Sequence, residues 1–193
     1  MSKGLIIVII LAIVVGFAGC NTYNGMVTKD EAVNNAWGQV QNQYQRRADL
    51  IPNLVNTVKG AADFEKSTLE SVIQARASAT STNFTADQLT PENIAKFQQA
   101  QEQLSGALSR LLVTVEKYPE LKANQNFLEL QAQLEGTENR ITVARNDFNN
   151  VVKDYNQTVR AFPANIFAGI FGFAQKGYFE ASQAAQTAPS VQF

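Results

Sequence analysis

Cys20 is the single thiol of this 193-residue chain, and it closes a run of small residues. Gly16, Phe17, Ala18 and Gly19 precede it, and an unbroken apolar stretch, Leu5 to Val15, lies between them and the basic start Met1-Ser2-Lys3. A short basic start, an apolar stretch and small residues ending on a cysteine follow the order of a bacterial lipoprotein export signal. The chemistry implied is cleavage before Cys20 and a thioether from its sulfur to a diacylglycerol. Phe17 stands where Leu or a small aliphatic is usual, so an uncleaved spanning helix, with Tyr23 at the interface, stays open as the second reading. The 16 residues from Gly4 to Gly19 fall between the about 7–15 of a signal core and the about 20 of a span. Lipid attachment at Cys20 is favoured, and either reading ties the chain to a membrane. Lys3 favours a cytoplasmic N-terminus, with the rest of the chain on the extracytoplasmic side.

Arg46, Arg47 and Asp49 form the densest charge cluster. An arginine pair suits bidentate contact with lipid phosphate or with a partner's carboxylates. The competing reading, which is favoured, is an internal network, because partly buried charges need partners within the fold. By spacing Arg47 sits on an apolar seam, and Glu135 and Glu138, beside Gly136, are plausible acceptors. Asp49 has no second carboxylate within helical reach and no base, so it does not read as a catalytic acid.

Several classes of chemistry are hard to build from this chain. It has no histidine, which removes the commonest general base and metal ligand together. Lipidation of Cys20 would leave no free thiol for catalysis or a disulfide. The acidic residues are scattered along polar helix faces and do not fall in ligand spacing. A net charge of −1 without a basic patch argues against nucleic acid. No enzyme activity, cofactor, metal or small-molecule substrate is expected.

The elements that must position these residues are helices. Thr28-Lys29-Asp30-Glu31 reads as a capping box that begins the first one. Val33, Trp37, Val40, Tyr44, Ile51, Val55, Val58, Ala62, Leu69 and Val72 follow at helical spacing. The stripe keeps its phase across Pro52 and Gly60, which favours one long kinked helix over about residues 28–79. Thr80 to Thr90 is rich in Ser, Thr, Asn and Asp and reads as a loop. Thr90 then caps a second helix, with Pro91 at its first position and Leu89 stapled to Ile94. Ile94, Phe97, Gln101, Leu104, Leu108, Leu111, Val115 and Tyr118 form a heptad seam that Pro119 ends. A third helix spans about residues 124–162, with Phe127, Leu130, Leu134, Ile141, Phe148, Val152, Tyr155 and Val159 on one face. Nothing alternates with period two, so no sheet is expected.

The fold class is therefore all-α: an antiparallel up-and-down bundle of long helices behind an N-terminal anchor. The expected boundaries are an anchor or signal over residues 1–20, a bundle over 21–173, and a flexible tail over 174–193. A continuous first helix would leave Trp37, Val40 and Tyr44 without a partner. Either the chain folds back near Pro52 or Gly60 into a four-helix bundle, or this stretch packs on other copies. Between Phe162 and Phe173, Ile166, Phe167, Ile170 and Phe171 would line one side of a short helix. That helix reads as a cap on the open end of the bundle, or as a contact with membrane or a neighbouring subunit.

The segments Ala36-Trp37-Gly38-Gln39-Val40, Arg46-Arg47-Ala48-Asp49-Leu50-Ile51-Pro52-Asn53-Leu54-Val55, Leu69-Glu70-Ser71-Val72-Ile73-Gln74-Ala75-Arg76-Ala77 and Leu134-Glu135-Gly136-Thr137-Glu138-Asn139-Arg140-Ile141 resemble the LemA family, over about Tyr23 to Phe173. The resemblance implies a bacterial membrane-anchored helical bundle without an assigned catalytic activity. Some members are linked to building or shaping internal membranes, and many have an ordinary spanning anchor without a cysteine here. Two functions are thus in view. One is a non-enzymatic structural protein that self-assembles at the bacterial membrane, bound to lipid and to its own copies through Trp37 and Tyr44. The other is an adaptor that presents Arg46, Arg47, Asp49 or the Phe167 and Phe171 segment to another envelope protein.

Overall fold

The computed structural model of the chain describes residues 3–60 and 64–180, which are all-α, with no strand among them. Helix α1 runs Lys3–Lys59. Nothing between Gly19 and Thr28 stops a helix, and extending an existing helix avoids the cost of a new nucleus. The anchor run and the first stripe are therefore one rod. Thr28, expected as an N-cap, lies inside α1, and its Oγ1 donates to the Asn24 carbonyl at 2.9 Å.

The expected helix over 28–79 is corrected at its middle. Pro52 stays inside α1, but the helix ends at Lys59, and α2 begins again at Lys66 and runs to Ser81. Ala62, counted in the stripe, lies outside the described residues. The return lays Leu69, Val72 and Ala79 against Ile51, Leu54 and Val58. A straight rod would have left both stripes in water. Helix α3 spans Pro91–Val115, and the Thr90 hydroxyl accepts from the Asn93 amide at 3.3 Å, as the cap pattern predicts. A single turn, α4 (Pro119–Lys122), leads to α5, Gln125–Arg160, whose Asn124 side chain accepts from the Phe127 amide at 3.2 Å. Helix α6, Ala164–Phe171, ends at Gly172, whose φ of +79° is a left-handed turn that glycine adopts without strain.

Helices α1 and α5 make the longest contact. Trp37 meets Phe148 with ring centroids 5.5 Å apart, and Arg47 reaches Glu138, so residue numbers fall along α5 as they rise along α1. The two run antiparallel. The core divides into two clusters. One is aliphatic and takes Ile51 to Val58, Leu69 to Ala79, Leu104 to Val115, Phe127 and Leu134 from α1, α2, α3 and α5. The other is aromatic and gathers Met26, Trp37, Tyr44, Phe97, Phe148, Tyr155 and Phe179. Trp37 and Tyr44 are 2% and 6% exposed, so the half of α1 expected to lack a partner has one inside this chain.

That partner includes chain outside the α-helices, whose one regular piece among the described residues is a 3-10 turn at Ala86–Gln88. Helix α2 stops at Ser81, and residues 82–90 continue beside α1, where the Trp37 indole donates to the Phe84 carbonyl at 2.9 Å. Residues 174–180, expected as part of a flexible tail, instead dock between α3 and α5. Residues 181–193, the remainder of that tail, lie outside the described residues.

Candidate functional site

Three constellations stand out from the packed helices. The first is a polar layer between the two clusters. Arg47 is 2% exposed, and its Nη1 donates to Glu138 Oε1 at 2.6 Å and to Ser105 Oγ at 2.8 Å. Its Nη2 donates to Gln101 Oε1 at 2.6 Å, and Gln101 Nε2 donates on to the Ala79 carbonyl at 3.2 Å. One guanidinium thus ties α1, α3 and α5 together, and through Gln101 also α2. Its carbon lies over the Tyr44 ring, 5.0 Å from the centroid. Burial raises the Tyr44 phenol above its ordinary value, against the opposing pull of Arg145 and Arg47. The internal network expected for Arg47 is present with Glu138; Glu135 instead accepts from Gln131 on its own helix. Arg46 and Asp49 are brought to none of this. Both are exposed on α1, and Asp49 accepts from Gln45 at 2.7 Å.

The second constellation is the docked strap, which sequence reasoning missed. Asn149 and Asn156 stand seven residues apart on α5, two turns along one face. Each side-chain amide makes a paired contact with the strap backbone: Asn156 with Lys176 (2.8 and 2.9 Å) and Asn149 with Phe179 (2.8 and 2.9 Å). Phe179 enters the aromatic cluster against Trp37, Phe97 and Phe148. Lys176, 9% exposed, pairs with Asp30 at 2.8 Å and donates to the Ala86 carbonyl. The Tyr155 hydroxyl donates to the Ala174 carbonyl at 3.0 Å, and burial, aided by the Asp30 charge, pushes its pKa up to about 12. The sequence signal for this strap was two polar residues on an otherwise apolar helix face, which read equally well as solvated positions. Gln101 on the heptad seam was the corresponding signal for the polar layer.

The third constellation is apolar and lies where α1 leaves the core. Leu5 to Val14 and Phe17 are exposed, and among the described residues α1 is the one helix long and apolar enough to cross a membrane. Against it, Phe167 packs on Gly19, and Phe171 meets Tyr23 edge-on at 4.9 Å. Cys20 is exposed in the open apolar cleft of about 480 Å³ between them. Phe167 is half-buried and Phe171, packed on Tyr23, keeps about half its surface exposed, while Ile166 and Ile170 face outward. No group of three or more Cys, Asp or Glu side chains is gathered as a metal would need among the described residues.

A helical body carried on an exposed apolar helix defines a membrane-associated helical protein. The sequence pattern of the LemA family matches residues 36–193, and this chain belongs to that family. It is similar to Protein LemA of Metamycoplasma hominis, 23% identical over 83% of this chain and 69% of that protein. It is also similar to the magnetosome protein MamQ 2 of Paramagnetospirillum magneticum, 33% identical over 42% of this chain, and to MamQ of Magnetospirillum gryphiswaldense, 32% identical over the same share. The chain spans only 30% of the length of either MamQ protein.

Proposed function

We propose that this protein is a non-enzymatic structural protein of the bacterial envelope. On this reading the helices form an up-and-down four-helix bundle that stands on the extracytoplasmic side of a membrane, self-assembles there and bears on the membrane's shape. The observation that carries the reading is the continuity of α1: one rod is both the exposed apolar anchor and the central helix of the core. A rigid joint of that kind transmits the position of the body to the lipid with no flexible linker between them. The similarity to proteins named for the magnetosome supports a role at a membrane. The continuous rod requires the uncleaved α1 as the anchor. Cleavage before Cys20 with lipidation would remove residues 1–19 and leave the core helix tied to the membrane by its new N-terminus alone, and mass spectrometry of the membrane-extracted chain separates the two. Because Trp37 and Tyr44 belong to the internal core, contact between copies falls to the exposed anchor and the outer helix faces.

Electron microscopy of the full-length protein on liposomes tests the proposal. Arrays, rings or deformed vesicles are the expected result. Isolated particles of single-chain size on undisturbed membrane would overturn self-assembly and leave the adaptor reading. That second reading draws on Arg46, which is exposed and joins no ion pair among the described residues. It requires a partner protein that co-purifies with the wild type and is lost on Arg46→Glu.

A further inference from the structure

We propose that the α5–α6 turn and α6 form a re-entrant tip that dips into the acyl chains of the same leaflet through which α1 emerges. The proposal rests on α1 being membrane-anchored and adds a second, separate lipid contact.

The register places the tip. Phe167 meets Gly19 and Phe171 meets Tyr23, four residues apart on both helices, so α6 runs beside α1 in the same sense. Its N-terminal end, with Phe162 and Pro163, is then the part that reaches furthest toward the anchor. The hydrocarbon thickness agrees. The Gly4–Gly19 run spans about 24 Å at 1.5 Å per residue, short of the roughly 30 Å core of a bilayer. Counting about 30 Å from Gly4 ends at about Tyr23, level with the C-terminal end of α6. The whole of α6 therefore lies on the lipid side of that boundary.

Charge follows the same line. No Asp, Glu, Lys or Arg occurs between Lys3 and Lys29 on α1, or between Arg160 and Lys176 around α6. Charges resume together: Lys29 and Asp30 on α1, Lys176 on the strap, and Arg160, which the α1–α5 register sets near Gly25. An arginine just outside the boundary is where lipid phosphates lie.

The tip is also dressed for an apolar medium. Phe162 is 82% exposed, Ile170 69% and Ile166 53%, a set of large apolar side chains that water would not favour together. Backbone donors in lipid must be satisfied internally. Pro163 has none, and the amides of Ala161, Asn165 and Ile166 bond to the carbonyls of Gln157, Ala161 and Pro163, which leaves those of Phe162 and Ala164 as the two that the turn does not pair. The surface is continuous with the exposed anchor, and this continuity makes lipid the occupant. A second copy covering the tip is the alternative that the test excludes.

The wild-type chain can be tested without substitution, because trypsin releases the tip as one peptide, Ala161–Lys176. Full-length protein is reconstituted in phosphatidylethanolamine–phosphatidylglycerol vesicles that carry a phospholipid with a diazirine in its acyl chain, then irradiated and digested. The expected result is carbene adducts on Ala161–Lys176, at Phe162, Ile166 or Ile170, in yield severalfold above the peptide Leu111–Lys117, which carries the exposed Val113. Adducts on the anchor peptide ending at Lys29 but only background on Ala161–Lys176 would overturn the tip and leave anchoring intact, whether water or a second copy covers it. Background on both would overturn the anchoring on which the proposal stands.

Discussion

The two core clusters are built by different means, and the contrast separates what local pattern can do from what it cannot. In the aliphatic cluster four helices supply Leu, Ile and Val at heptad spacing, and regular rods fill the space. In the aromatic cluster α2 has already ended. The fourth position is taken by residues 82–90, and the strap closes the side between α3 and α5. Irregular chain cannot interdigitate as a helix does. Large rings from Trp37, Phe97, Phe148 and Phe179 fill the volume there, and asparagine side chains satisfy the strap backbone. The polar layer of Arg47, Gln101, Ser105 and Glu138 marks the border between the two regimes.

If the aromatic half depends on its strap, Phe179→Ala should cost about 3–5 kcal/mol in denaturant unfolding, the usual range for a buried phenylalanine. It should also free residues 174–180 to exchange amide hydrogens quickly. A loss below about 1 kcal/mol would mean that the strap covers a core already complete without it. Trp37→Asp should abolish folding of the chain itself rather than merely dissociate copies. A folded Trp37→Asp variant of reduced assembly size would make this face an interface between copies.

At the border, Arg47→Met should cost about 2–4 kcal/mol, because Gln101 loses its partner in a dry site. Glu138 is half-exposed, so its own desolvation adds little. Arg47→Met/Gln101→Leu should recover part of the loss, and a double variant no more stable than the single one would refute the assigned role of the layer. Gly177→Ala is a smaller and more local probe. A Cβ there would lie 2.8 Å from the Pro91 Cα, so the strap must shift, at a cost of about 1–3 kcal/mol confined to the aromatic half. Hydrogen exchange over residues 51–58 should stay unchanged in that variant, and faster exchange there would show that the two clusters unfold as one.

The smallest effect is on pH. Tyr155 is held neutral in the folded chain with its pKa raised to about 12, above its unfolded value near 10. Its contribution is fully present below about pH 10 and is lost as pH rises through about 12. Thermal stability should begin to fall above pH 10, and Tyr155→Phe should flatten that fall. An equal slope in Tyr155→Phe would move the effect to Tyr44, whose phenol is shifted in the same direction.

Several features were readable in the chain alone. The heptad seam from Ile94 to Val115, the cap at Thr90 and the start of a helix at about Asn124 reappear because each depends on residues within one or two turns. The same locality misled at Thr28, where a valid cap pattern met a helix already running. It also misled at Gly60, where the phase of the stripe survived a complete reversal of direction. Phase records which face is apolar, not whether the rod continues. Arg47 could be assigned an internal partner from its place on the seam, whereas Arg46, one residue away and 100° around the helix, stayed outside.

The amino-acid sequence by itself determined that this is an all-helical chain of the LemA family, with an apolar N-terminal run, no histidine and a single cysteine. Those properties are carried by composition, by period and by motifs of contiguous residues. Only the tertiary structure decided where the first helix stops, that Trp37 and Tyr44 are core, that the Asn149–Asn156 pair holds the strap, and that α6 stands level with Gly19 and Tyr23. Each of these joins residues tens of positions apart through backbone with no repeat of its own, and such contacts leave no periodic trace along the chain.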